Sequence, residues 1–239
     1  MKIFSRRRLA FWHLVVPLLL APLIWWILAA TDIDRALIAW YYDADRHGFP
    51  LRDDPFMAGV MHAGMKLLVI ALGMAVAGAF LFSYVVPQLA PYRRDLLWLF
   101  AGMAGAALLV SIVKHNSTLH CPWDLADYGG YAPFRSLFDN VPDDTAPGRC
   151  FPGGHASGGF ALIAFYFALR DRDLRHARLM LGVGLAMGTI MGWSQMMRGA
   201  HFLSHTVWSA WLEWMYLAAL YHLVPPHQER AAASGAALS

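Results

Sequence analysis

An all-α integral-membrane bundle of six transmembrane helices is the fold class that this sequence predicts. Three observations lead there. The chain of 239 residues is 58% hydrophobic and only 15% charged, whereas soluble domains carry about one-quarter charged residues. Six apolar runs approach or reach the roughly 20 residues that cross a bilayer. Basic clusters alternate with acidic, turn-rich connections, so the charges sort to two sides.

The first run, Leu14–Ala30, follows "MKIFSRRR", a basic head like that of a signal peptide. Trp25, Trp26 and Ile27 stand where a small-residue cleavage site would be, so the span is expected to be retained. Residues 31–66 form the first outward segment, in which "DIDRALIAWYYDADR" is expected to lie along the membrane surface with Trp40, Tyr41 and Tyr42 at headgroup level. Leu67–Val86 and Leu96–Val113 are the second and third spans. Lys114–His155 is the largest outward loop, and "DYGGYAPF" and "NVPDDTAPG" within it are rich in turn formers. Ala156–Leu169 is short for a span and gains length from the turn that contains His155. Leu179–Met197 carries glycines at 182, 184, 188 and 192, a near-helical spacing that suits close helix packing. Thr206–Val224 is the sixth span. There is no internal repeat, so residues 1–225 read as one transmembrane domain and 226–239 as a disordered cytoplasmic tail.

Charge sets the expected orientation. Lys2, Arg6, Arg7, Arg8, Arg93, Arg94, Arg170, Arg172, Arg175, Arg178 and Arg230 fall on the side of the N-terminus, 11 of the 19 Lys and Arg. The opposite segments (31–66, 114–155 and 198–205) contain 11 of the 16 acids. Both termini are therefore expected in the cytoplasm and the long connections outside. The net charge of +3 follows from this anchoring and does not argue for nucleic acid. The two cysteines, Cys121 and Cys150, share the same outward loop, where an oxidising compartment lets such a pair persist as a disulfide. Closing a loop of about 30 residues is worth roughly 3–4 kcal/mol in the chain-entropy model.

Three ionisable clusters end up on one side: "KHNSTLHCPWDL" from Lys114, "CFPGGHASGG" from Cys150, and "RGAHFLSH" over residues 198–205. Such groups are expensive at membrane depth unless paired or solvated, so three on one face suggest one site. Lys114 offers a compact cation. Gly153 and Gly154 let backbone N–H groups approach an anion at an expected helix N-terminus, and His155 follows, placed to give or take a proton. His201 and His205 stand four apart, on one face if helical, with Arg198 just before them. Cations, a backbone cradle and several imidazoles suit a phosphate ester, one histidine attacking phosphorus and another protonating the leaving oxygen.

On these residues the chain resembles the type 2 phosphatidic acid phosphatase superfamily, marked by K-x6-R-P, P-S-G-H and S-R-x5-H-x3-D. Lys114 is followed after six residues by Cys121 and Pro122. Pro152-Gly153-Gly154-His155 matches the second motif apart from its Ser. Ser194, Gln195, five residues, His201, three residues and His205 align with the third. The resemblance implies a membrane lipid phosphatase with its site at the periplasmic face of a bacterial inner membrane. His201 would be the nucleophile that forms a phospho-histidine, and His155 the general acid. Lys114, Gly153 and Gly154 would bind the phosphoryl oxygens, with no metal and no cofactor. Isoprenyl diphosphate, phosphatidic acid, phosphatidylglycerol phosphate and lipid A phosphate all fit as substrates, and transfer of the phosphate to a second lipid would use the same intermediate.

The sequence departs from the pattern at Cys121, Gln195 and His205, which stand where the family has Arg, Arg and Asp. A phosphoryl group wants more than one cation. Arg198 is the best substitute, placed on a continuous helix three residues before His201, and Arg149 beside Cys150 is the second. Asp124, Asp127 or Glu213 could supply the missing carboxylate. Two other classes stay open. His115, His120, His155, His201 and His205 could serve a metal-dependent membrane hydrolase, and a carrier of anionic lipid would keep the cations without needing both His155 and His201.

Overall fold

The computed structural model describes residues 6–139, 142 and 146–227. The helices that organise it are α1 Arg7–Ala30, α2 Ile33–Ala39, α3 Phe56–Phe82, α4 Ala90–His115, α5 Gly154–Leu169, α6 Leu174–Met197 and α7 Leu203–Leu223. No strand occurs among the described residues, only isolated bridges at Asp43–Gly48 and Leu125–Ala132. Four helices, α1, α3, α4 and α6, are long and apolar enough to cross a membrane. Among the described residues, four of the six expected spans thus qualify on length and composition. Helix α5 has only 16 residues, and α7 carries His205, Ser209, Glu213 and His222 along its length. Residues 228–239 of the expected tail lie outside the described residues.

The short helix is the innermost. Phe160, Ile163, Ala164 and Phe167 of α5 are buried between Trp98, Met103 and Ala106 of α4, Leu217, Ala218 and Tyr221 of α7, and the glycine face of α6. Being covered all round explains an apolar sequence without an amphipathic stripe. A Cβ at Gly188 would run into the Phe160 ring, and one at Gly192 into Thr206 of α7, so these glycines set how closely α6 approaches. Gly182 faces open space and takes no part. The peripheral helices α1 and α3 bury only 6% of their apolar windows, against 33% for α4 and 39% for α6. Their exposed Leu, Trp and Met side chains are the surface that a membrane protein turns to lipid.

Local chemistry shapes the peripheral helices. Pro17 in α1 has no N–H to give the carbonyl of His13 four residues earlier, and the backbone around residues 11–15 widens into a π turn. Trp214 Nε1 of α7 donates to that carbonyl at 2.8 Å, and Trp211 Nε1 to the carbonyl of Pro17 at 2.9 Å. These two indole bonds fasten α1 to α7.

Residues 31–66 are not one outward loop. From Phe56 onward they join α3, whose first nine residues are a π-helical stretch. Ahead of it, Ile38 and Phe49 pack with Leu125, Tyr128, Ala132, Met196 and Phe202 into a second core over one end of the bundle. Trp40 stays exposed, while Tyr41 takes a hydrogen bond from Trp193 Nε1 at 3.0 Å.

Candidate active site

The end of the bundle under this second core gathers the charged motifs. Helix α6 starts on Asp173, whose carboxylate caps the N–H groups of Arg175 and His176. It ends at Met197 because Gly199 takes a left-handed conformation (φ +72°), with Gly199 N–H on Met196 O and Ala200 N–H on Gln195 O. The expectation of a continuous helix through Arg198 and His201 is therefore corrected. Arg198 is the C-cap, His201 lies in the turn, and His205 sits in the first turn of α7. Asp34 of α2 accepts the Ser204 N–H at 2.8 Å, so a carboxylate from another segment caps α7 and holds that turn. Burial raises the Asp34 pKa above the usual carboxylate value, an effect that its hydrogen bonds from Ser204 and Leu203 oppose.

The turn before α5 docks on the same place. Gly153 N–H donates to His205 O at 3.0 Å, and Ser209 Oγ donates to both His205 O and Gly153 O. Gly153 is the N-cap and brings no side-chain cap to the first turn of α5, which leaves helix N–H groups facing outward for an anion. Cys121 and Cys150 are joined in a disulfide with Cα atoms 5.2 Å apart, closing a sequence separation of 29. The bridge and the Cys150 N–H bond to Leu119 O hold the extended segment that delivers Pro152 and Gly153.

Two imidazoles meet at the centre. His201 Nδ1 is 3.1 Å from His205 Nδ1, and both rings are buried. Lys114, at the end of α4, donates from Nζ to Cys150 O at 3.2 Å, and its stem lies alongside Gly154. Burial first, then the charge of Lys114, holds the His201 pKa well below the ordinary imidazole value, so the ring is neutral near pH 7. His155, also buried, donates from Nε2 to Met61 O at 2.9 Å, which leaves Nδ1 as its free ring nitrogen. Its ring stacks against His62 with centroids 4.6 Å apart.

Arg198 donates from Nε to Arg52 O at 2.8 Å and from Nη1 to Gln195 Oε1 at 3.2 Å. Its charge bears on His62 and His155, as does that of Lys66, whereas Lys114 bears on His201 and His205. Separate cations thus act on the His62–His155 and His201–His205 pairs. Gln195, in the place of a motif arginine, carries no charge of its own and instead orients Arg198. Arg149 stands apart. Its side chain is exposed and makes no hydrogen bond or ion pair with the cluster among the described residues, while its backbone N–H bonds Ser117 O.

No carboxylate is hydrogen-bonded to His201 or His205 among the described residues. Asp127 pairs with Arg35 at 2.5 Å, and Glu213 is fully buried eight residues further along α7, beside Ser157. The group beside His201 Nδ1 is instead the imidazole of His205. Of the histidines considered for a metal, His115 is exposed and His120 packs against Tyr131, and neither joins a group of convergent ligand atoms among the described residues. His201 and His205 do converge with Cys150, the three ligand atoms lying within 4.8 Å of one another, but that sulfur is committed to Cys121.

Sequence reasoning missed His62, Lys66, Asp34 and the Met61 carbonyl. The first two belong to a helical turn that reads as loop, and nothing in "FMAGVMHAGMK" signals which histidine it will meet.

A family model described as the PAP2 superfamily matches residues 95–229. No curated protein and no solved structure matches the chain.

Proposed function

This chain belongs to the PAP2 superfamily, whose activity is phosphatase or phosphotransferase chemistry on phosphorylated substrates, and from that premise we propose that it is a membrane lipid phosphatase working through a phospho-histidine. The bundle would cross the membrane six times, with both termini in the cytoplasm and the histidine cluster at the periplasmic face.

The observation that carries the reading is the 3.1 Å contact of His201 Nδ1 with His205 Nδ1 beside the Gly153–Gly154 turn and Lys114. We assign the shared proton to His201 Nδ1. Its Nε2 lone pair is then free to attack phosphorus, and His205 fixes the tautomer as a carboxylate does in other relays. The bond from Nε2 to phosphorus forms as the bond to the leaving oxygen breaks. Once the phosphate's negative charge offsets the Arg198 and Lys66 cations that bear on it, His155 takes a second proton, keeps Nε2–H on Met61 O and gives the Nδ1 proton to that oxygen. Lys114, the N–H groups opening α5, and Arg198 share the charge of the phosphoryl oxygens. Water, deprotonated by His155 Nδ1, then releases phosphate from His201. A lipid hydroxyl in place of that water would make the enzyme a transferase.

The test is phosphate release by the purified protein in detergent from isoprenyl diphosphate, phosphatidic acid, phosphatidylglycerol phosphate and lipid A phosphate. Wild type and His201→Ala are compared, each with EDTA and with vanadate. Release that survives EDTA, falls with vanadate and disappears in the variant supports the mechanism. Release that EDTA abolishes, or that His201→Ala retains, overturns it.

A further inference from the structure

The disulfide sulfur of Cys150 has a second set of neighbours. Sγ lies 3.4 Å from His201 Nδ1 and 3.1 Å from Ala200 O, and His205 Nδ1 completes the group at 3.1 Å from His201 Nδ1. All three residues are buried. Tetrahedral zinc with nitrogen ligands near 2.0–2.1 Å and sulfur near 2.3 Å requires N–N and N–S edges of about 3.3 and 3.6 Å. The two separations that involve His201 come within about 0.3 Å of these edges, and the third, from Cys150 Sγ to the His205 nitrogen, is within 4.8 Å, so a small turn of the His205 ring closes the triangle.

We infer that Cys150, His201 and His205 form a latent site for a borderline-soft divalent cation such as Zn2+, which opens when the Cys121–Cys150 disulfide is reduced. The balance is simple. A dithiol reductant gives two electrons and two protons to the disulfide, leaving two cysteine thiols and its own disulfide. The metal then displaces one proton from the Cys150 thiol and coordinates the thiolate with both Nδ1 atoms. His201 moves its proton from Nδ1 to Nε2, with no net change on the ring. Three protein ligands leave one exchangeable position, the arrangement that admits water or a phosphate oxygen.

Geometry survives the reduction because the Cys150 backbone is held independently of its sulfur. Its N–H bonds Leu119 O at 3.0 Å and its carbonyl accepts from Lys114. The consequence is inhibition. A metal on Nδ1 puts the proton on Nε2, which removes the lone pair that attacks phosphorus. The intact bridge therefore does more than close a loop, since it keeps a thiolate away from the nucleophile.

Cobalt(II) is the direct probe. Reduced wild type, kept anaerobic with a phosphine reductant, and Cys121→Ser without reductant are titrated in detergent beside oxidised wild type and Cys150→Ser. One Co2+ per chain, with near-ultraviolet thiolate-to-cobalt absorption and tetrahedral visible bands, is expected in the first two and absent from the last two. The reduced wild type keeps the test valid if Cys121→Ser does not fold. A reduced protein that binds no Co2+, or Cys150→Ser or oxidised wild type that binds it with the same spectrum, overturns the site. This binding arm is independent of the phosphatase reading. In the activity arm, one Zn2+ per chain is expected to lower turnover of the reduced enzyme more than tenfold, reversibly with EDTA, and to spare the oxidised form. Equal inhibition of both forms refutes the gating by the disulfide.

Discussion

Replacing His205 by alanine isolates what a neutral imidazole does in a place where the family motif has a carboxylate. The substitution deletes the acceptor 3.1 Å from His201 Nδ1. A buried donor left without its partner loses about 1–3 kcal/mol. At about 1.4 kcal/mol per tenfold, that is roughly 5- to 150-fold. In a triad whose orienting group is ionised, loss of the correct tautomer lowers turnover by about 10⁴. His205 is neutral, so its loss is expected to be smaller, on the order of 10²-fold in kcat. The phosphate turn should remain, since Gly153 N–H and Ser209 Oγ bond the carbonyl of residue 205, not its side chain. KM should therefore hold while kcat falls. His205→Asp supplies a charged acceptor, about twice as strong as a neutral one, with Lys114 nearby to offset the buried charge. It is expected at least tenfold above His205→Ala. Steady-state phosphate release, with thermal unfolding to check that each variant is folded, reads all three proteins. A kcat for His205→Ala within about threefold of wild type would refute the orienting role, as would a KM that rises as much as kcat falls.

Other outcomes follow from the same geometry. Because burial and then Lys114 hold the His201 pKa well below 6.5, its neutral form persists as pH falls. The acid limb of kcat/KM should lie below pH 6.5 and shift upward in Lys114→Met, as a pH–rate profile would record; a limb at or above 6.5 in the wild type contradicts this. Arg198→Gln removes one flanking cation and should lower kcat/KM by 10²-fold or more, whereas Gln195→Ala only frees the guanidinium and should cost about tenfold. Equal losses in the two variants would argue against Gln195 acting through Arg198. A Cβ at Gly153 would meet nothing closer than 3.4 Å, so Gly153→Ser should fold normally and keep at least wild-type turnover. A lowered unfolding temperature would show the cradle to be tighter than its contacts imply.

Patterns that depend on near neighbours in sequence were legible. Apolar runs marked the helices, charge marked their ends, and the spacing of Lys114, Pro152-Gly153-Gly154-His155 and His201 pointed to one candidate site, because helix formation is a local matter, whereas the left-handed stop at Gly199 went unread. The resemblance to the family was read from that same spacing, and the match over residues 95–229 shows the membership. What the tertiary structure decided were the partners. Asp34 capping α7 from a segment 170 residues earlier, and His62 laid on His155, are meetings across the fold. No periodicity encodes them, since each depends on how whole helices pack. The exchange of arginine for Gln195 looked like a loss in one dimension. In three it places a side-chain oxygen 3.2 Å from Arg198, so the charge sits on the neighbour and the glutamine aims it.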